Sequence, residues 1–360
     1  MFIELFLASL KIIFILFIVL SIAGLLGWVE RKQSAVMQDR IGANRADIFG
    51  FRVIGLFHPL ADAIKLITKE DFIPPFADKG LHTLAPFMTL FFSLVAFAVL
   101  PFGSELYIKG RGIPLQIVNL DIGILYIFAM MSLVVFGVLI AGTASKNNYA
   151  FLGGIRAASQ MISYEIILGS SIMGIIMAYG SLNLMEIVEK QGDLLWGMIP
   201  KWGILLQPLG FLLFMTAVIA ETKRIPFDLP EGESEIIGYH IEYSGMKFGM
   251  FMMTDFVETI MAAGVLTTLF FGGWQIPFLF KEGFLFPMGI TVKLPHLIVI
   301  LLQFLSFLIK VLFFCWVLML IRWTLPRFRY DQVMRLGWKF MLPLSLANIL
   351  ITGIIIILFI

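Results

Sequence analysis

Glu221-Thr-Lys-Arg-Ile-Pro-Phe-Asp-Leu-Pro-Glu-Gly-Glu-Ser-Glu235 stands between two apolar runs, Gly203–Ala220 and Phe248–Trp274. Five of these fifteen residues are carboxylates and two are basic, whereas the flanking runs suit a bilayer. A membrane protein needs little of this to fold, because an ordinary connection can be short and of almost any polar composition. A compact mixed-charge loop stiffened by Pro226 and Pro230 points instead to a shaped polar site at a membrane surface.

The rest of the chain repeats this alternation. Of 360 residues, 60% are hydrophobic and 14% charged, with a mean hydropathy of +0.96. That composition indicates an all-α polytopic membrane protein. Eight runs are close to the roughly 20 residues a bilayer core requires: Phe2–Trp28, Leu81–Phe102, Ile122–Ala141, Ile162–Tyr179, Gly203–Ala220, Phe248–Phe271, Leu297–Ile321 and Leu342–Ile360. Because they are apolar on all sides rather than alternating, a β-barrel is excluded. With the N-terminus outside, loops 29–80, 142–161, 221–247 and 322–341 hold 18 Lys and Arg, and the opposite loops hold six. This asymmetry puts the charged loops inside and both termini outside. The first run carries its basic cluster after it and lacks a small-residue cleavage site, so it is expected to remain as a span.

Several chemistries find no support. Cys315 is the only cysteine and lies within a span, and the four histidines show no ligand spacing. No Gly-rich nucleotide motif opens a helix. Redox chemistry served by this chain therefore belongs to groups held elsewhere. The first inner loop, about fifty residues long, exceeds a simple turn. Within it Leu60–Glu70 reads as an amphipathic helix in the interface plane, with Leu60, Ile64 and Ile67 on one side and Asp62, Lys65 and Lys69 on the other. A short surface helix is expected over Leu182–Glu189.

Charges inside spans carry the functional argument. Glu165, in Met161–Gly169, costs a few kcal/mol to insert unless paired or hydrated. It reads as a proton relay or as a neutral acid hydrogen-bonded for packing, with Arg156, Ser163 and Tyr164 as candidate partners. Asp255 and Glu258, three residues apart, share a helical face and suit proton sharing. The alternative is an interfacial pair reaching for the surface. Asp121 reads best as a helix N-cap. Glu231, Glu233 and Glu235 would reach one side of an extended loop. Asp228 and Glu231 also have capping-box spacing. With Glu221, Arg224 and Glu165 they suggest an acidic funnel into the bilayer. The basic, aromatic segment Arg322–Gln332 is largely explained by headgroup anchoring.

Seven segments together carry a family likeness: Gly27-Trp-Val-Glu-Arg-Lys32, Asp39-Arg-Ile-Gly-Ala-Asn44, Pro59–Lys65 with Lys69-Glu70, Gly153–Arg156 through Ser163-Tyr-Glu165, Ala220–Glu235, Glu242–Lys247 and Leu325–Gln332. Over almost its full length the chain resembles the H-subunit family of respiratory complex I, the proton-pumping NADH–quinone oxidoreductase (subunit 1 in mitochondria).

The resemblance implies a multi-pass subunit of the cell inner membrane that forms most of the membrane side of a quinone chamber. It would lie beneath a soluble arm whose iron–sulfur chain reduces the quinone. Flavin and iron–sulfur clusters would sit on partner subunits and no cofactor on this chain. The implied partners are the peripheral quinone-site subunits, small membrane subunits, quinone and lipid, with no nucleic acid. By position, Glu30, Arg31, Asp62, Arg224, Asp228, Glu231, Glu233 and Glu235 would line or gate the chamber, and Glu165 and Glu221 would continue the proton path with Asp255 and Glu258. Departures from the family's pattern are Ala43 in Gly-Ala-Asn, the Asp47–Gly50 turn, His58, Asp255 in place of a glutamate, and Glu258. The competing readings are the homologous membrane foot of an energy-converting hydrogenase or related quinone or phenazine reductase, and a stand-alone ion transporter.

Overall fold

A computed structural model describes residues 2–108, 111–195, 199–232, 235–280, 283–285 and 291–359. The helices are α1 (Phe2–Met37), α2 (His58–Thr68), α3 (Lys79–Val95), α4 (Gly123–Ala144), α5 (Asn148–Tyr179), α6 (Leu184–Gln191), α7 (Gly203–Leu206), α8 (Pro208–Glu221), α9 (Gly245–Phe270), α10 (His296–Thr324), α11 (Tyr330–Arg335) and α12 (Leu342–Phe359). Among the described residues, seven helical segments are long and apolar enough to cross a membrane, and the shorter Pro208–Glu221 completes the eight expected runs. Among the described residues, short antiparallel sheets occupy the α3–α4, α6–α7 and α9–α10 connections, two-stranded in the first two and three-stranded in the third, all on the face away from the charged loops.

Several boundaries differ from the sequence expectation, each for a local reason. Loop 142–161 is almost wholly helical. Asn147 caps α5 by accepting from the Tyr149 N–H, so that helix begins fourteen residues earlier than the expected Ile162. It runs 32 residues, roughly 48 Å, and projects beyond the hydrocarbon. Likewise α1 continues past Trp28 to Met37 and carries Glu30 and Arg31 out of the bilayer on a rigid rod. Most of loop 322–341 is helix too, because α11 passes through a π-turn at Leu336–Met341 directly into α12.

The expected fifth span is broken. Pro208 has no N–H and disfavours helical backbone before it, and Gln207 sits at φ −136°, ψ 61°. Its buried side chain uses the break: Nε2 donates to Thr352 Oγ1 at 2.8 Å and Oε1 accepts from Asn348 Nδ2 at 3.0 Å, tying α8 to α12.

Helix α2 forms as expected, with Pro59 near its start and no buried residue, leaving Leu60, Ile64 and Ile67 exposed. The short helix expected near Leu182–Glu189 is α6, but Leu184, Met185, Ile187 and Val188 are buried, so it packs into the bundle. Asp121 is exposed and makes no cap: α4 starts after Ile122, with no side-chain hydrogen bond there.

Helix α5 is central and packs on α4, α8 and α12, while α9 packs on α1, α3 and α10. Small residues let α5 approach the charged loop. A Cβ at Gly153 would lie 2.9 Å from Tyr239 N and 3.2 Å from Pro230 O, whereas one at Gly169 of the same helix would meet nothing within 4 Å. Gly153→Ala should therefore displace the charged loop and destabilise by about 1–3 kcal/mol, while Gly169→Ala should be neutral or stabilising by up to about 1 kcal/mol. The temperature of half-inactivation of the solubilised protein checks both, and equal tolerance at the two positions would contradict this packing.

Candidate functional site

The charged stretch folds because a buried amide holds it from within. Gln160 of α5 donates through Nε2 to the carbonyls of Ala220 and Phe227, both at 2.7 Å, so one side chain clasps both ends of the turn that follows α8. Inside that turn Lys223 adopts left-handed backbone, φ +54°, with its N–H donating to Ala220 O at 3.2 Å. Pro226 O accepts from Phe328 N–H at 3.0 Å, and the Phe227 and Phe328 rings stack at 5.6 Å. The loop between α8 and α9 is thus joined to the one between α10 and α11. Further on, Gly232 O accepts from the Glu235 and Ile236 N–H groups. At Gly232 the Arg327 guanidinium occupies the space a Cβ would take, so a side chain there would displace it.

Within the bundle, Glu165, Glu221 and Glu258 line a single cavity together with Phe128, Phe214 and Thr222. It offers about 40 Å³ to water centres, room for roughly three waters. Glu258 is fully buried and Glu221 nearly so, and neither Glu221 Oε2 nor Glu258 Oε1 has a hydrogen-bond partner among the described residues. Glu165 accepts a hydrogen bond from the Ser132 hydroxyl of α4. Its expected partners are engaged elsewhere: Arg156 with Glu235 at 2.7 Å, Ser163 with Ser159 O, and Tyr164 with Val333 O. Ser132 was missed because a lone hydroxyl in an apolar run gives no signal.

Lys223 joins this cavity to the charged loop. Its side chain is 2% exposed, and Nζ lies 3.5 Å from Asp255 Oδ1 and 3.4 Å from Glu258 Oε2. Those distances describe an ion pair rather than well-formed hydrogen bonds. Asp255 and Glu258 therefore do share a face of α9, as their spacing predicts. Burial alone would lower the Lys223 ammonium, but Glu258 and Asp255 outweigh it and hold the pKa above the usual lysine value. The sequence displayed this residue within the quoted stretch without marking it as the joint.

On the loop side of the joint lie Glu30, Arg224, Asp228, Glu231, Arg322 and Arg327. Glu30 of α1 pairs with Arg322 at the end of α10. Arg224 is buried, with its guanidinium 4.8 Å from the Phe256 ring centre. Asp228 accepts from the Glu231 N–H, and its carboxyl is pushed up chiefly by burial against the opposing pull of Arg327 and Arg322. Glu231 faces His240, 3.7 Å away. Burial, then Asp255 and Asp228, raise the Glu231 carboxyl to about 8.

Other expected site residues stand apart. Glu235 points outward to Arg156, whose hydrogen bond holds its carboxyl below the usual range, and Arg327 lies 4.0 Å away. Arg31 and Asp62 pair at 2.6 Å across α1 and α2 at the surface. Glu233 lies outside the described residues. Asp228 and Glu231 are thus brought together, whereas Glu235 diverges from Glu231.

Comparison with known proteins gives the family. A family profile described as NADH dehydrogenase matches residues 10–353. An NADH-quinone oxidoreductase H subunit of Cytophaga hutchinsonii is 45% identical over 92% of this chain and 91% of its own length. An NADH-quinone oxidoreductase H subunit of Geobacter sulfurreducens is 45% identical over 95% and 94%. "NADH-quinone oxidoreductase subunit 8" of Rhodothermus marinus is 42% identical over 94% and 93%. With its spans, its charged loop and this match over nearly its whole length, the chain belongs to the NADH dehydrogenase family.

Proposed function

We propose that this chain is the membrane subunit of an NADH–quinone oxidoreductase that shapes the quinone chamber and links quinone reduction to proton translocation. One observation carries the reading: carboxylates from α5, α8 and α9 converge on one cavity in the bundle, and a buried lysine connects it to the charged loop. Reducing a quinone to a quinol consumes two electrons and two protons. The electrons would come from iron–sulfur clusters on a partner subunit, and this chain would supply polar walls and proton-exchanging groups. Arg224, Asp228, Glu231 and the Glu30–Arg322 pair would face the chamber. Protons would then exchange along Asp255, Glu258, Glu221 and Glu165, with cavity waters filling the gaps that exceed hydrogen-bond reach.

The amphipathic α2, with its exposed apolar face and its Arg31–Asp62 tether, suits a position at the lipid surface beside the chamber. The excess of basic residues in the loops on this face supports placing it on the cytoplasmic side of the inner membrane. Peripheral quinone-site subunits and small membrane subunits are the partners this role requires.

Glu165→Gln tests the proton path, because it preserves shape and hydrogen bonding while removing titration. In native membranes with normal subunit content, quinone reduction and proton uptake should fall together by at least tenfold. Uptake close to native would remove Glu165 from the path.

The loop gives a second test. Asp228→Asn and Glu231→Gln act on adjacent, interacting groups and should depart from additivity by about 0.5–3 kcal/mol. Glu231→Gln combined with Glu235→Gln should be additive in the activation free energy of turnover, because Glu231 faces His240 and Glu235 faces Arg156. A non-additive effect involving Glu235 would bring that residue back into the chamber wall.

Titration supplies the third. Glu231 is raised to about 8, so it is mainly protonated at neutral pH and becomes charged as pH climbs through that value. Where turnover uses the protonated form, activity should decline on an alkaline limb near pH 8. Glu231→Gln should abolish that limb, and its persistence in the variant would assign it to another group.

A further inference from the structure

We propose that Lys223 is the positioning residue of the junction, a single buried ammonium carried on the charged loop that ties the protonation of the membrane cavity to the position of that loop. The proposal rests on the proton-path reading above and adds a residue that the sequence likeness did not assign to it.

Three observations carry it. First, the geometry is that of a shared counter-ion: Nζ stands 3.5 Å from Asp255 and 3.4 Å from Glu258, with the lysine side chain 2% and the Glu258 side chain 0% exposed. Second, the charges do not balance. Lys223 is the only cation within ion-pair distance of the two α9 carboxylates among the described residues. The buried Arg224 acts on them from farther off, and Glu221 on the same cavity and Glu231 on the loop add further carboxyls, so the carboxyls outnumber the two cations. In a desolvated setting a proton on one of those carboxylates neutralises the excess. Third, cation and carboxylates belong to different segments of the chain. Asp255 and Glu258 are fixed within α9, whereas Lys223 lies two residues past the end of α8, in left-handed backbone, on the loop that also carries Arg224, Asp228 and Glu231.

A shift of the loop therefore changes the distance from Nζ to the carboxylates without moving either helix. Coulomb attraction falls as the reciprocal of that distance. When the ammonium withdraws, Glu258 takes a proton from protonated Asp255, directly or relayed through a water that is itself reprotonated, and Asp255 is left as the carboxylate. When it returns, the proton leaves toward Glu221 or back to its donor. Lys223 keeps its three N–H bonds throughout, and no covalent bond or electron is transferred. The other groups facing the ammonium are Tyr239, whose ring centre is 5.8 Å away, and Glu231 on the loop.

The test uses the intact complex in membrane vesicles. It measures NADH-driven quinone reduction, proton uptake, and the infrared difference spectrum of quinone reduction in the carboxylic-acid region. Lys223→Met keeps most of the length and removes the charge. It should lower coupled turnover at least tenfold and erase the carboxylic-acid difference signal that Glu258→Gln also erases. Lys223→Arg should retain most of both. Coupled turnover within twofold of native in Lys223→Met overturns the proposal. So does lost turnover with the Glu258-dependent signal intact, since Lys223 would then only support packing.

If Lys223→Met does not assemble, the double variant with Glu258→Gln removes both members of the buried pair and relieves the uncompensated charge. It should match Glu258→Gln alone, and a further loss of tenfold or more beyond Glu258→Gln would reject a shared unit. Silence of both Glu165→Gln and Glu258→Gln would sink the proton-path reading itself. Impairment in those two with a silent Lys223→Met would sink only the role given to Lys223.

Discussion

A carboxylate held among apolar helices needs a counter-charge, a hydrogen-bond donor or a proton, because water is no longer there to solvate it. Glu258 meets that demand through Lys223, and much of the surrounding fold is arranged around this contact. For the ammonium to reach α9, helix α8 must stop at Glu221 and the chain must turn back at once. The left-handed Lys223 makes the turn, and Gln160 holds both sides of it through two backbone carbonyls. Gly153 allows the returning loop to lie against α5, and Gly232 leaves room for Arg327 beneath it. Each is a small local feature. Together they place one charge within ion-pair distance of two others.

Much of this architecture was readable in the residues. Apolar runs separated by charged loops determined the bundle, and the three-residue spacing of Asp255 and Glu258 determined that they share a face. Periodicity was silent where small residues decide. Loop 142–161 contains Gly153, Gly154, Ala157 and Ala158 among polar residues, so its mean polarity suggests a loop; yet these small side chains pack as helix against neighbouring backbone. The end of α8 was visible as a change in composition, but its break at Gln207–Pro208 was not, because proline within an apolar run is compatible with a continuous span. What distinguishes the break is the Gln207 side chain bonded to α12, a tertiary contact with no sequence period.

The acidic loop shows the same limit from the other direction. Alternating Glu231, Glu233 and Glu235 suggested one wall on the assumption of extended backbone. Gly232 instead accepts several successive N–H groups and curls the chain, so Glu231 turns inward to His240 while Glu235 turns out to Arg156 and Arg327. Charge type was legible and direction was not. Direction depended on a tight turn around one glycine and on arginines that arrive from α5 and from the segment after α10.

Two lysines that meet α9 at different points show why the surroundings, rather than depth, determine what such a charge can do. Lys310 of α10 donates to three backbone carbonyls, Phe271 O at 2.8 Å, Gly273 O at 3.0 Å and Gln275 O at 2.7 Å, and lies 4.9 Å from the Trp202 ring centre. All three of its donors are used, and its acceptors cannot take up a proton near neutral pH. It closes the C-terminal end of α9, where the last carbonyls lack helical partners. Lys223 meets the middle of the same helix, at Asp255 and Glu258, and faces carboxylates, whose charge depends on the protons they hold. One lysine fixes the C-terminal end of α9 and the other meets mid-helix groups whose charge can change, so a disturbance of the loop acts on protonation at the middle of a helix whose far end is anchored.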